Sequence, residues 1–232
     1  MRMPHKLALC AVSPLLLASI ALGQQDYIGR YDVYTGYMYL SSPLIALGES
    51  GFHTQIGTNP AKWYSLGFDF STGTGDTALT VPMLKSSLQQ QINGELTAAG
   101  IPSTYKPSVP LHSQSQTYAT GPQLNYRHFR AFTLFIHPDL GAIHETATPH
   151  PTDFLTTMLV SQLVPGGVKT DWTYFYGVGG GADFNVTRHV GLRVTVDFVH
   201  DHLFSDMLNG RNSVRVSVGP AVHFGKNVAA QK

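Results

Sequence analysis

The stretch Trp172–Val199 reads WTYFYGVGGGADFNV, then TRH, then VGLRVTVDFV. In its first half Trp172, Tyr174, Tyr176, Val178, Gly180, Ala182, Phe184 and Val186 occupy every second position. Between them fall Thr173, Phe175, Gly177, Gly179, Gly181, Asp183 and Asn185. After the break, Val190, Leu192, Val194, Val196 and Phe198 alternate with Gly191, Arg193, Thr195, Asp197 and Val199. A period of two is that of a strand with two chemically different faces. Two such strands across a short polar break predict a hairpin. Each is about ten residues long, enough to cross a bilayer when tilted. One face is almost wholly apolar, and the other carries Asp183, Asn185, Arg193 and Asp197 among glycines. That pairing suits a barrel wall with lipid outside and a tight polar lumen inside.

The composition agrees. Only 12% of the 232 residues are charged, mean hydropathy is −0.02, and Gly, Tyr, Phe, Ser and Thr fill the gap. This is strand-forming chemistry rather than helical chemistry. A formal charge of +1 with no basic cluster excludes a phosphate-backbone reader, so no nucleic-acid partner is expected.

The N-terminus has Arg2, His5 and Lys6 before an apolar run from Leu7 to Leu22, with Ala21 and Gly23 ahead of Gln24. Charged start, apolar middle and small-residue end predict a secretory signal peptide, residues 1–23, cut between Gly23 and Gln24. Cys10 lies inside it, so the mature chain offers no thiol chemistry. No later run is long and apolar enough for a helical span, which leaves a closed barrel as the way to cross a membrane.

Further alternation predicts wall strands at Tyr31–Leu40, Gly51–Thr58, Trp63–Ser71, Thr117–Arg127, Ala131–Ala142 and Asn212–Gly225, eight in all with the hairpin. The breaks near Asn59, His128 and Arg188 are short. Ser41–Ser50, Thr72–Gln116, Ile143–Asp171 and His200–Arg211 read as longer loops, placing short turns on one rim and long loops on the other. Inside Thr72–Gln116, Leu84, Leu88, Ile92 and Leu96 recur at i+4 and predict a short helix packed on the barrel rim. The fold expected is all-β: an eight-stranded antiparallel up-and-down barrel over residues 24–225, with that helix in the second long loop and a tail at 226–232. Alternation by itself also admits a soluble lipocalin-like barrel with the faces reversed.

Five segments carry a resemblance: YDVYTGYMYL from Tyr31, KW-x-x-LGFDFS from Lys62, GPQLNYR from Gly121, YGVGGGADFNVTRHVGLR from Tyr176, and VRVSVGPAVHFG from Val214. Together they resemble the small outer-membrane β-barrel family, the OmpA-like eight-stranded barrels. The resemblance implies an outer-membrane location, contact with outer-membrane lipid and delivery by the barrel-assembly machinery. Such families end on an aromatic residue read by that machinery. Phe224 takes the place here, followed by GKNVAAQK.

The expected lumen network is Asp69, Asn125, Arg127, His137, Asp139, Asp183, Arg193, Asp197, Arg215 and His223. Its mixed signs favour internal pairing, and an eight-stranded barrel is nearly filled by its own side chains. His144-Glu145 with His150 and Asp153, and His200-Asp201-His202, lack zinc spacing. GVGGGAD has no helix after it and is not a phosphate loop. No spacing singles out a nucleophile. No cofactor, metal or catalytic residue is therefore expected. The role expected is structural or surface-interacting, as a monomer whose long loops meet an extracellular ligand or surface. A narrow channel and a lipid-modifying enzyme are the alternatives.

Overall fold

The computed structural model describes residues 25–230. The expected signal peptide, residues 1–23, and its expected cut between Gly23 and Gln24 lie outside them. Eight strands form one closed antiparallel ring in sequence order. They are β1 (Gly29–Ser42), β2 (Leu47–Ala61), β3 (Tyr64–Thr80), β4 (Ser108–Tyr126), β5 (Phe132–Pro149), β6 (Lys169–Asn185), β7 (Val190–Asp201) and β8 (Arg211–Asn227). β8 closes the ring on β1, with Tyr37 opposite Val218 and Tyr39 opposite Val216. Two helices, α1 (Ser86–Ala98) and α2 (Phe154–Leu163), sit in the long connections.

Which face is inside is now decided. Asp69, Asp183, Arg193, Asp197 and Arg215 are buried, whereas Phe68, Leu140, Val178, Phe198 and Val216 are exposed on the outer surface. Two aromatic belts bound that apolar surface. Near the short turns lie Tyr31 against Phe224 at 5.8 Å between ring centroids, and Phe129 against Phe132 at 4.4 Å. Toward the long loops Phe52, Phe70, Tyr118 and Trp172 follow one another at 5.9, 5.2 and 6.1 Å. Paired girdles around an apolar band are the outer surface of a membrane barrel. The lipocalin-like alternative would need the polar set outside.

The wall is taller than the alternation suggested. Thr72–Thr80 and Ser108–Gln116 belong to β3 and β4 and remain paired, from Thr72 with Gln116 to Thr80 with Ser108. β5 continues to Pro149 and β6 begins at Lys169, so the two ends of Ile143–Asp171 are wall as well. These ends are rich in Ser, Thr and Gly and read as loop, but Ser113 and Ser115 point inward and bind Glu49. Ser41–Ser50 is a tight 3-10 turn over Pro43–Ile45, with strand on both sides. Just beyond it Gly51 serves close packing: a Cβ there would stand 1.9 Å from the Thr72 carbonyl oxygen.

Two further boundaries move. Asn59 and Pro60 lie within an irregular end of β2, and residues 62–63 make the turn. Beyond Phe224, β8 runs on through Gly225, at φ +89°, to Asn227, and Val228 then donates its N–H to the Ile28 carbonyl at 2.8 Å.

α2 was not anticipated. Its signal was present as D-x-x-T: the Asp153 side chain accepts from the Thr156 N–H at 2.9 Å, and the Thr156 hydroxyl accepts from the Asp153 N–H at 3.1 Å. That reciprocal pair is a capping box. The Thr156 N–H, with the Tyr105 hydroxyl, holds the Asp153 carboxyl below the ordinary carboxylate range.

A ring without a free edge has no strand end from which to unzip. The folded protein should therefore survive SDS unheated and migrate apart from the boiled chain. One band, the same with and without boiling, would contradict the closed wall.

Candidate functional site

The lumen is crossed at three levels by a buried arginine. Nearest the short turns, Arg193 on β7 holds Asp183 on β6 with two bonds, Nε to Oδ1 at 2.6 Å and Nη2 to Oδ2 at 2.8 Å. Its Nη1 reaches Asp32 at 3.5 Å and donates to Gln55, so one side chain ties β6 to β1 and β2. The guanidinium also lies 5.6 Å from the Tyr34 ring centre and 5.1 Å from that of Phe135. Cation–π attraction adds to the pairing when water is excluded.

At mid-height Arg215 donates from Nε to Asp197 at 2.8 Å and from Nη1 to Asp69 at 3.3 Å, with Ser71 and Thr117 at 3.2 and 3.3 Å. His53 bridges the Asp69 carboxylate at 2.6 Å and the Ser217 hydroxyl at 2.8 Å. Ser217 also meets Tyr34 at 2.9 Å and Thr195 at 2.7 Å. His137 stands between Asp139, at 2.9 Å from Nδ1, and Asp197, at 3.5 Å from Nε2. Beside the long loops, Arg211 pairs with Glu145 at 2.7 Å and Asp201 at 3.2 Å.

The residue type matters at each level. Arginine offers five fixed donors and stays charged, so it can satisfy several strands at once. Breaking one partner would strand the others without water. The three levels act as transverse ties rather than a lining.

From the gap between the upper two levels to the long-loop rim, the interior turns apolar. Leu84 and Ile92 of α1's segment, Leu203, Phe204, Met207 and Leu208 of residues 202–210, and Ile143, Phe175 and Val199 of the wall form one apolar cluster. Leu159 and Leu163 of α2 pack against it. The i+4 stripe on α1 is thus spent on the rim. The loops are tied to one another: Lys85 N–H donates to the Met207 carbonyl at 2.8 Å, and the Tyr105 hydroxyl to Asp153 at 2.9 Å. A cavity of about 100 Å³ remains under this lid, bordered by Ile45, Leu79, Ile92, Leu159 and Phe204. At the other rim a polar vestibule of about 520 Å³ opens among Asn59, Arg127, Asp183 and His223.

Ile92→Asp places a charge in the lid, where it has no partner. The expected result is faster protease cleavage within residues 81–107 while the unheated gel form persists. Loss of that form would mean the lid supports the wall.

No family model matches the chain, and no curated protein matches it. Solved structures do. OprG, an outer membrane protein of Pseudomonas aeruginosa, aligns over 88% of this chain and 99% of its own, with a TM-score of 0.51 at 8% identity. Neisserial surface protein A aligns over 84% and 96%, with a TM-score of 0.50 at 12% identity. The chain has the fold of the eight-stranded outer-membrane β-barrels. Identities this low carry the architecture and nothing finer.

Within this barrel, the sequence-derived lumen set divides. Asp69, His137, Asp139, Asp197 and Arg215 meet at mid-height, and Asp183 and Arg193 meet below them. Asn125 bonds to Gln123 and Ser65 at 2.6 and 2.9 Å and joins neither group. Arg127 sits on the short-turn rim, where it donates to Asn59 and the Lys62 carbonyl, both at 2.9 Å. Burial pushes its guanidinium down to about 10, against the opposing pull of Asp32 and Asp183. His223 borders the vestibule together with Asp183 and stands opposite Asp32 in the β8–β1 register. Phe224 faces outward on the wall.

Sequence reasoning missed Asp32, Glu49, His53, Glu145, Asp201 and Arg211, all buried. Asp32 and His53 lie inside predicted strands; for Glu49, Glu145, Asp201 and Arg211 the signal was the same alternation carried one to three residues past a predicted strand end. His137, Asp139, Gly141, Ile143 and Glu145 are one inward series on β5, and Arg215, Ser213 and Arg211 are one on β8.

Proposed function

We propose that this barrel is an outer-membrane surface protein whose task belongs to its lidded long-loop rim, in contact with an extracellular ligand or surface. The observation that carries this reading is the lid itself. All four connections at this rim, two of them carrying a helix, contribute to an apolar cluster over the mouth, while Phe154 and Met158, one helical turn apart on α2, are 75% and 47% exposed. A structured rim with exposed apolar side chains above the wall is built to be presented. The wall then serves as a rigid stand. Arginine ties at three heights argue against a conduit, because an ion would have to displace bonded guanidinium groups.

The same proposal covers delivery. The signal-peptide pattern directs export, and the outward Phe224 on the closing strand supplies an aromatic for the assembly machinery. The barrel works as a monomer and is not an enzyme.

Cells displaying the wild type and the double variant Phe154→Asp/Met158→Asp should be compared for binding to a panel of immobilised surface proteins and polysaccharides. Binding by the wild type that drops at least about tenfold in the variant supports the reading. Equal binding by both removes the rim from the function. Reconstituted protein should leave planar bilayers at baseline conductance. Discrete steps would favour the channel, and altered lipid A in overexpressing cells would favour the enzyme.

A further inference from the structure

The middle level of the lumen contains more negative charge than its arginine can balance. Asp69, Asp139 and Asp197 face a single guanidinium, Arg215, with His53 and His137 as the other titratable groups. With both imidazoles protonated the level is neutral. With both neutral it carries a charge of −2, in a space closed above and below by further ties. Either two protons or one divalent cation completes it.

Geometry favours the cation at one spot. His137, Asp139 and Asp197 offer ligand atoms that all lie within 4.8 Å of one another, and all three residues are buried. Asp197 is fully enclosed and Asp139 is 4% exposed, yet Asp197 Oδ1 and Asp139 Oδ2 have no hydrogen-bond partner among the described residues. Buried carboxylate oxygens rarely stay unpaired. The separation of His137 Nε2 from Asp197 Oδ1, 3.5 Å, is long for a hydrogen bond. It is close to the ~3.4 Å edge of a tetrahedron built on metal–ligand bonds of about 2.1 Å.

The surroundings hold the ligands in place. Arg215 Nε takes the other Asp197 oxygen at 2.8 Å and leaves Oδ1 free. Asp139 Oδ1 bonds to His137 Nδ1 at 2.9 Å, which leaves Nε2 toward Asp197. A carboxylate behind a ligating imidazole is the usual means of fixing its orientation. Gly179 on the facing strand leaves the room, since a Cβ there would lie 2.1 Å from Asp197 Oδ1 and 2.9 Å from His137 Nε2.

We propose that His137 Nε2 and Asp197 Oδ1, with Asp139 fixing the imidazole, form a buried site for one divalent transition-metal ion, with Zn²⁺ as the probe. An imidazole beside a carboxylate suits such an ion better than Mg²⁺ or Ca²⁺, which take all-oxygen shells. The site is independent of what the rim binds.

The test uses the untagged chain, stripped with chelator, refolded in detergent, and titrated with Zn²⁺ as the folded, heat-modifiable form. Metal content by elemental mass spectrometry is expected to reach one ion per barrel. Replacing the rim histidines His144, His150, His200 and His202 by Gln should leave that ion bound, because these side chains lie outside the lumen. His137→Gln should weaken binding by about 100-fold or more, and Asp139→Asn by about 10–100-fold. Should either lumen variant fail to fold, Co²⁺ bound to the rim-histidine variant settles the matter by its absorption spectrum. A tetrahedral spectrum from nitrogen and oxygen ligands supports the site. A folded wild type that takes up no Zn²⁺ at micromolar concentration overturns the proposal, as does loss of the ion in the rim-histidine variant. In the first case protonated imidazoles balance the charge. In the second the metal was at the surface.

Discussion

Replacing Arg215 by methionine is expected to lower the unfolding free energy by about 3–5 kcal/mol. The methionine fills much of the same volume, so the loss is chiefly electrostatic. Arg215 answers carboxylates on β7 and β3 and hydroxyls of Ser71 and Thr117 from a position that is 2% exposed. Without it, Asp197 and Asp69 remain in a water-poor interior. Asp69 retains His53, but Asp197 retains only the 3.5 Å approach to His137. Urea unfolding in lipid vesicles measures the change. Adding Asp197→Asn to Arg215→Met should return part of it by removing one stranded charge. A loss under about 1 kcal/mol would show that the pair is solvated, as a surface pair would be, and that water reaches mid-lumen.

The neighbouring residue predicts the reverse substitution. Val216→Arg should cost about 2–4 kcal/mol in the same assay. Val216 and Arg215 are adjacent on β8, so their side chains leave the wall on opposite faces. Val216 stands opposite Tyr39 of β1 and Val196 of β7, both pointing outward between the aromatic belts. An arginine there has no carboxylate within the band and must snorkel to an interface. The two experiments form one test of orientation: arginine is needed at 215 and rejected at 216. A neutral Val216→Arg would place that face in water and overturn its assignment to lipid.

The strand count, the alternation of faces and the hairpin at Trp172–Val199 were legible because a period of two is a local property. It needs only the chain's own geometry. The helix from Ser86 was legible for the same reason, its i+4 stripe being complete in Leu84, Leu88, Ile92 and Leu96. The height of the wall was not. Serine, threonine and glycine in Thr72–Thr80 and Ser108–Gln116 resemble loop until their partners are known. Then Ser113 and Ser115 are seen to satisfy Glu49 across the lumen. A lumen-facing serine and a solvent-facing serine have the same local sequence signature.

The candidate site divides on the same line. Alternation placed Asp69, His137, Asp139, Asp183, Arg193, Asp197 and Arg215 on inward faces, since facing is decided two residues at a time. It did not say which of them meet. Asp69 and Arg215 are 146 positions apart in the chain and 3.3 Å apart in the barrel. Their meeting depends on ring closure and on the register of every strand pair between them. The tilt and stagger of a closed barrel follow from all eight strands together. So the sequence by itself determined the strands, their two faces and the polar character of the interior. Only the tertiary structure decided the three arginine levels, the apolar lid and the pairing of lumen charges, because each joins residues that no local periodicity connects.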